Sequence, residues 1–176
     1  MADRDPFSQT YDMLMEMALG NPTVTSLVRV KNRMMFTAKD TRVMLPRKDE
    51  ISEGDLPELR ILPSGGTPKV GRDSDHTSWL QEFDMQIATG DTDVEALMFP
   101  LSFALLCAWT DWHPRFATLT WGGEPFIHTI VATKASQGLA IENENRAITG
   151  WASVWSVQAD LWLSTAALKR LNTPIQ

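Results

Sequence analysis

The sequence predicts a single α+β domain, in which an antiparallel or mixed sheet of about five to six strands packs with two main helices. Runs of alternating apolar and polar residues mark several strands, and two segments with apolar residues at helical spacing mark the helices. The connections between neighbouring strands are short, which favours antiparallel pairing. The predicted order of elements is α-β-β-α-β-β-β.

Length and composition limit the classes of protein to which the chain can belong. Its 176 residues suit one domain spanning 1–176, and 43% hydrophobic with 22% charged residues is ordinary for a globular protein. The net charge of −6 argues against a nucleic-acid binder held by bulk electrostatics. Cys107 is the single cysteine, so no internal disulfide is expected. The charged N-terminal segment MADRDPFSQT is unlike a signal peptide, and we expect a chain kept in a reducing cytoplasm.

The first helix is predicted to begin at Asp5-Pro6, with Asp5 as the N-cap and Pro6 at the first helical position. It should end at Gly20, and residues 24–30 form a connector with a helical turn. The apolar face of this helix is predicted to consist of Phe7, Tyr11, Leu14, Met15 and Ala18.

Two strands are predicted next. Pro57–Pro63 is bracketed by prolines, which suits an edge strand, and Ser64–Pro68 (SGGTP) is predicted to be a turn. A second strand ends at Thr89. It alternates between polar residues and the apolar residues Trp79, Phe83, Met85 and Ile87.

The central helix is predicted to start at the capping box Thr92–Glu95 and to stop at His113-Pro114. Its apolar residues point in several directions, so we expect more than one layer to cover it and Cys107 to be a small buried hydrophobe. The apolar run 96–109 is shorter than the ~18–20 residues that span a bilayer. Pro100 should kink the helix, at a cost of about 3 kcal/mol.

The last third of the chain is predicted to hold three strands. Phe116–Trp121 and Phe126–Lys134 form a hairpin around Gly122-Gly123, and Ser136–Thr149 is a polar loop. Residues 165–171 are predicted to add a helical turn at the end of the chain. In the closing strand, Gly150–Leu163, apolar residues recur at every second position. Its core-facing residues are predicted to be Trp155, Val157, Ala159, Leu161 and Leu163, with Trp162 on the opposite face.

Few residues suggest catalysis. Asp73, Asp75 and His76 lie close enough in sequence to bind a hard cation, and Glu142 with Glu144 forms a pair of carboxylates on the predicted loop. A small metal-dependent hydrolase therefore remains an alternative. The other histidines are assigned structural roles: His128 in the core with Phe126 and Ile130, and His113 at a helix C-terminus.

A subunit interface is the second kind of site that the sequence suggests. Residues 38–55 form a long, charged loop around an apolar cluster, and such loops are often functional. The loop is either solvated or an arm that orders against a neighbouring subunit. Exposed aromatic residues favour protein–protein contact. The candidate interface residues are Val43, Met44, Leu45, Arg47 and Trp162.

Four segments in this order resemble the tail-terminator (tail-completion) neck proteins of long-tailed bacteriophages. They are the N-terminal amphipathic helix, PELRILPSGG, WLQEFDMQIATGD before a capped helix, and GWASVWSVQADLWL. The resemblance implies a small subunit that forms a homo-oligomeric ring, typically a hexamer. The ring caps the tail tube and docks to the head-connector proteins of the virion, after assembly in the host cytoplasm.

The same resemblance implies no enzymatic activity and no catalytic, metal-binding or cofactor-binding residues. DNA would only pass through the lumen of the ring, and no membrane is involved. Two features depart from the pattern: the length of Ser136–Thr149 and the mid-helix Pro100. They leave open a head-closure protein or another neck component. A monomeric module that binds a peptide at an open sheet edge is a third alternative.

Overall fold

The computed structural model describes residues 4–27, 58–69, 75–89, 98–142 and 148–171. Within these ranges the chain forms four helices and six strands. The helices are α1 (Pro6–Gly20), α2 (Pro22–Leu27), α3 (Phe99–Phe116) and α4 (Thr165–Leu171). The strands are β1 (Glu58–Lys69), β2 (His76–Thr89), β3 (Thr120–Trp121), β4 (Glu124–Pro125), β5 (Ile127–Glu142) and β6 (Ile148–Ser164).

The main sheet has four strands in the order β1-β2-β6-β5, and every neighbouring pair is antiparallel. The strands β3 and β4 form a separate two-stranded ribbon. The predicted α+β class and antiparallel pairing are therefore confirmed, with the six described strands divided into four and two. The closing strand β6 lies in the interior of the main sheet, paired with β2 on one side and β5 on the other.

Successive side chains of a strand point to opposite faces, so the main sheet has two distinct faces. The inner face packs against the helices in one apolar cluster that includes Leu14 of α1 and Leu105 of α3. The alternation predicted for β6 is confirmed. Its buried residues include Trp155, Val157, Ala159, Leu161 and Leu163. We call the other face, which carries Glu82, Asp84, Ser156, Gln158 and Trp162, the open face.

Helix α1 begins as predicted. The backbone N–H of Ser8 donates a hydrogen bond to Asp5 Oδ1 at 2.9 Å, and Pro6 occupies the first turn. The predicted buried face is confirmed for Leu14, Met15 and Ala18, whereas Tyr11 is half-buried and Phe7 is exposed at its edge. The ring of Phe7 instead contacts Trp79 edge-on, with centroids 5.6 Å apart.

Strand β1 is longer than predicted, because it continues through the segment SGGTP, for which the sequence predicts a turn. The register shifts between Pro63 and Gly65, which accommodates the local sequence by a bulge. As an edge strand, β1 needs hydrogen bonds from only one neighbour, so its prolines are tolerated. A Cβ atom at Gly66 would lie 2.6 Å from the indole of Trp79. Gly66 thus permits close packing of an aromatic ring on the backbone.

Helix α3 does not stop at His113-Pro114 as predicted but continues to Phe116, with Pro114 inside its last turn. His113 Nε2 lies 2.9 Å from the carbonyl oxygen of Ile130, which ties this end of the helix to β5. Pro100 lies in the first turn of the described helix, where proline is tolerated. The predicted capping box at 92–95 lies outside the described residues.

The predicted hairpin around Gly122-Gly123 is reduced to the short ribbon β3–β4. Both glycines have positive φ angles, 62° and 86°, as the turn requires. The predicted loop 136–149 is wrong for most of its length, because β5 extends to Glu142 and β6 starts at Ile148. Backbone pairing with β6 does not depend on apolar alternation, so the polar sequence concealed this strand.

Candidate subunit interface

Hydrogen bonds between side chains of β2 and β6 organise the centre of the open face. Ser156 Oγ donates to Asp84 Oδ1 at 2.9 Å, and Gln158 Nε2 donates to Glu82 Oε1 at 2.8 Å. Both bonds join directly opposite residues of the antiparallel pair, where side chains approach most closely. One oxygen of each carboxylate is therefore held by a neighbouring strand.

A third carboxylate, Asp160, is held by two partners on the same face. Its Oδ1 accepts a hydrogen bond from Ser78 Oγ at 3.0 Å, and its Oδ2 pairs with Lys69 Nζ at 3.0 Å. The pair neutralises Asp160 where β1, β2 and β6 run side by side.

An open pocket of about 350 Å³ lies beside the two central carboxylates. Its lining includes Ser64, Glu82, Asp84, Thr133, Ser156 and Gln158. The lining contains two carboxylates, so this part of the open face remains compatible with water.

Trp162 forms the aromatic part of the open face. The ring of His128 stacks on it with centroids 4.1 Å apart, and the ring of His76 lies at 5.9 Å. The prediction that Trp162 points away from the core is confirmed, since it is 38% exposed. The prediction that His128 is a core residue is wrong. A register shift between Ile127 and Thr129 places His128 on the exposed side, while Phe126 and Ile130 stay buried.

A second exposed surface lies on α3. Phe99, Phe103 and Leu106 follow the spacing i, i+4, i+7 and form one stripe, which we call the α3 stripe. Their exposed fractions are 49%, 68% and 47%. The opposite side of the helix is buried against the core through Leu101, Leu105 and Ala108.

The prediction that several layers cover this helix is wrong for the described part of the chain. Cys107, predicted to be buried, is exposed beside the α3 stripe. Its free thiol therefore lies next to Leu106 on the surface. The spacing of Phe99, Phe103 and Leu106 was visible in the sequence. Only tertiary packing decides which of two apolar helix faces is covered, so this surface could not be predicted from the spacing alone.

The structure locates one of the five candidate interface residues, Trp162. The other four, Val43, Met44, Leu45 and Arg47, lie outside the described residues. The surface that sequence reasoning missed, the α3 stripe, is on the opposite side of the sheet from Trp162.

The residues considered for metal binding are only partly described. Asp75 is exposed and His76 is half-buried at the start of β2, whereas Asp73 and Glu144 lie outside the described ranges. Glu142 ends β5. Among the described residues, no three His, Cys, Asp or Glu side chains converge as a metal site would require.

Two carboxyl groups with perturbed pKa values lie at the start of α1. Burial raises the pKa of Asp5, but hydrogen bonds from the side chain and backbone of Ser8 outweigh it and bring the pKa below its usual value. Burial raises the pKa of Asp12, and its ion pair with Arg4 offsets this only in part. These groups affect the stability of the helix layer and are not part of the open face.

The described helices include none with the length and apolar character needed to cross a bilayer. Comparison of the sequence with protein-family models and with curated proteins found no match.

Proposed function

We propose that this chain is a structural subunit that assembles into a ring, typically of six copies, at the head–tail junction of a long-tailed bacteriophage. The ring would complete the tail tube and dock it to the connector proteins of the head, with DNA passing through its lumen. The order of sequence segments described above suggests this class. The observation that carries the proposal is the presence of two unlike surfaces outside the core, the exposed α3 stripe and the half-buried open face.

The α3 stripe has the character of a protein-binding surface. With about 200 Å² for a whole aromatic residue, its three side chains leave roughly 300 Å² of apolar surface in water. Isolated exposed apolar residues need no explanation, but a contiguous stripe of this size matches the largest apolar patch of an ordinary monomer, which is often functional. The described part of the chain supplies no further layer over it.

The open face has the size of a protein–protein interface. Four strands at a spacing of about 4.8 Å, with the 14-residue length of β2 and a rise of about 3.3 Å per residue, give a face on the order of 800–900 Å². A standard specific interface buries about 800 Å² per partner. Its centre is polar and its Trp162 end is aromatic, as in surfaces that are stable in water before assembly.

The proposal is tested by the state of association of the purified chain. Native mass spectrometry and negative-stain imaging, with and without isolated tail tubes, should show rings formed alone or on tube ends. A chain that stays monomeric in both conditions contradicts the proposal. Rings or single copies that bind connectors but never tails would instead indicate a head-closure protein.

A matched pair of variants links association to the α3 stripe. Phe103→Asp places a charge in the stripe and should abolish or strongly reduce ring formation without unfolding the monomer, because Phe103 is 68% exposed. Ala166→Asp introduces the same charge at an exposed position in the first turn of α4 and should assemble normally. If the two variants formed rings to the same extent, the α3 stripe would not be part of the contact between subunits.

A further inference from the structure

We infer that neighbouring copies of this chain associate head to tail, with the α3 stripe of one copy lying on the open face of the next, between Val131 and Trp162. The inference rests on the proposed function and names the two surfaces that form the contact between subunits.

The positions of the two surfaces favour this arrangement. The buried side of α3 belongs to the same apolar cluster as the inner face of the sheet, so the α3 stripe and the open face lie on opposite sides of that sheet. A two-fold contact uses the same surface on both copies and would leave the other surface in water. A head-to-tail contact covers both surfaces of every internal copy, and it covers both surfaces of all copies when the rotation between neighbours closes a ring.

The dimensions of the two surfaces agree. Val131 is paired with Gln158 of β6, and Trp162 lies four residues further along that strand, at a distance of about 13 Å. Phe99 and Leu106 are seven residues apart on α3, or about 10 Å along the helix axis. Val131 and Trp162 are also exposed apolar residues, at 47% and 38%.

Few charges lie between Val131 and Trp162, which favours a stable interface because burying an unpaired charge is costly. The exposed residues of α3 between Phe99 and Thr110 are uncharged. On the open face, the exposed Thr129 lies between Val131 and Trp162, opposite Asp160, whose carboxylate is already paired with Lys69. The acidic pocket begins at Glu82 and Gln158, level with Val131, and extends away from Trp162, so it lies at the edge of the contact.

Cross-linking through cysteines tests this assignment in the full-length chain. Cys107 is the only cysteine, is exposed, and directly follows Leu106, the last residue of the α3 stripe. In a Thr129→Cys variant, a short bis-maleimide should join Cys107 of one copy to position 129 of the next. Because each copy then has two linked positions, denaturing gels should show a ladder that ends at the number of subunits in the ring. Peptide mass spectrometry should identify the 107–129 link.

Two control proteins, each with one cysteine, show whether cross-linking requires both positions. The unmodified chain and the Cys107→Ser/Thr129→Cys variant each have one cysteine and should give no cross-linked product. A Cys107–Cys107 dimer would overturn the inference in favour of helix-on-helix pairing, and a 129–129 dimer in favour of sheet-on-sheet pairing. Circular dichroism and thermal unfolding of Thr129→Cys would verify that the fold is retained.

The same experiment separates this inference from the proposed function. Rings that are visible by negative stain but give no 107–129 link would overturn the assignment of surfaces and leave the ring intact. A protein that gives neither rings nor links would contradict both.

Discussion

The imidazole of His128 lies almost flat against the indole of Trp162, with ring centroids 4.1 Å apart and ring planes inclined by 17°. The stack covers part of an aromatic residue that β6 would otherwise present to water. Trp155, on the same strand, lies on the opposite face and is buried in the core. Trp155 and Trp162 of β6 therefore have different physical roles.

Replacing each tryptophan by alanine should distinguish these roles. Trp155→Ala removes a buried ring and should lower the free energy of unfolding by about 3–5 kcal/mol, enough to unfold a marginal domain. Trp162→Ala loses an exposed stack worth about 0.5–1.5 kcal/mol and should remain folded while assembling less well. Urea denaturation and native mass spectrometry measure the two effects. Comparable unfolding of both variants would refute the assignment of two faces.

The two adjacent glycines of β1 offer a test of packing against Trp79. Gly66→Ala should destabilise the domain by about 1–3 kcal/mol, because the new methyl group meets the indole 2.6 Å away. Gly65→Ala is the matched control. Its methyl group meets only the flexible end of Glu82, at 2.9 Å, and should cost much less. In a Trp79→Leu background, the penalty of Gly66→Ala should largely disappear, as measured by a double-mutant cycle.

The partners of Asp160 should differ in their contribution to stability. Asp160→Ala leaves the buried hydroxyl of Ser78 without its acceptor and should lower the free energy of unfolding by about 1–3 kcal/mol. Lys69→Met removes only a solvent-exposed ion pair and should change it by less than about 1 kcal/mol. Urea midpoints for the two variants provide the comparison, and an equal loss would show that the ion pair dominates.

The N-cap of α1 should make stability depend on pH in the acidic range. Because the pKa of Asp5 is lowered in the folded state, its stabilising effect is complete above its usual value of about 3.9 and is lost as the pH falls through the lower folded pKa. The difference in unfolding free energy between the wild type and Asp5→Asn should thus be constant above about pH 5 and shrink below it.

Asp12 provides a control for that measurement, because its pKa is shifted in the opposite direction from that of Asp5. Its pKa is raised in the folded state, so its charge lowers stability at neutral pH. Asp12→Asn should therefore gain relative stability at neutral pH and lose this gain as the pH falls. The same pH trend in both variants would contradict the assigned directions.

Local sequence determined those features of this protein that depend on neighbouring residues. The Asp5-Pro6 cap, the turn at Gly122-Gly123 and the two faces of β6 were predicted correctly. In each, the physical cause acts over a few residues: an amide within reach of a carboxylate, a positive φ angle, or the alternation of side chains along a strand.

Tertiary structure alone decided the features that depend on distant partners. Pairing with β2 carries β1 through Ser64–Pro68, and pairing with β6 carries β5 through a polar segment, because backbone hydrogen bonds form regardless of side-chain polarity. The sequence shows that α3 is apolar on more than one side. Which side is buried depends on the sheet and helices packed against it, and this leaves Phe103 in water while Leu105 lies in the core.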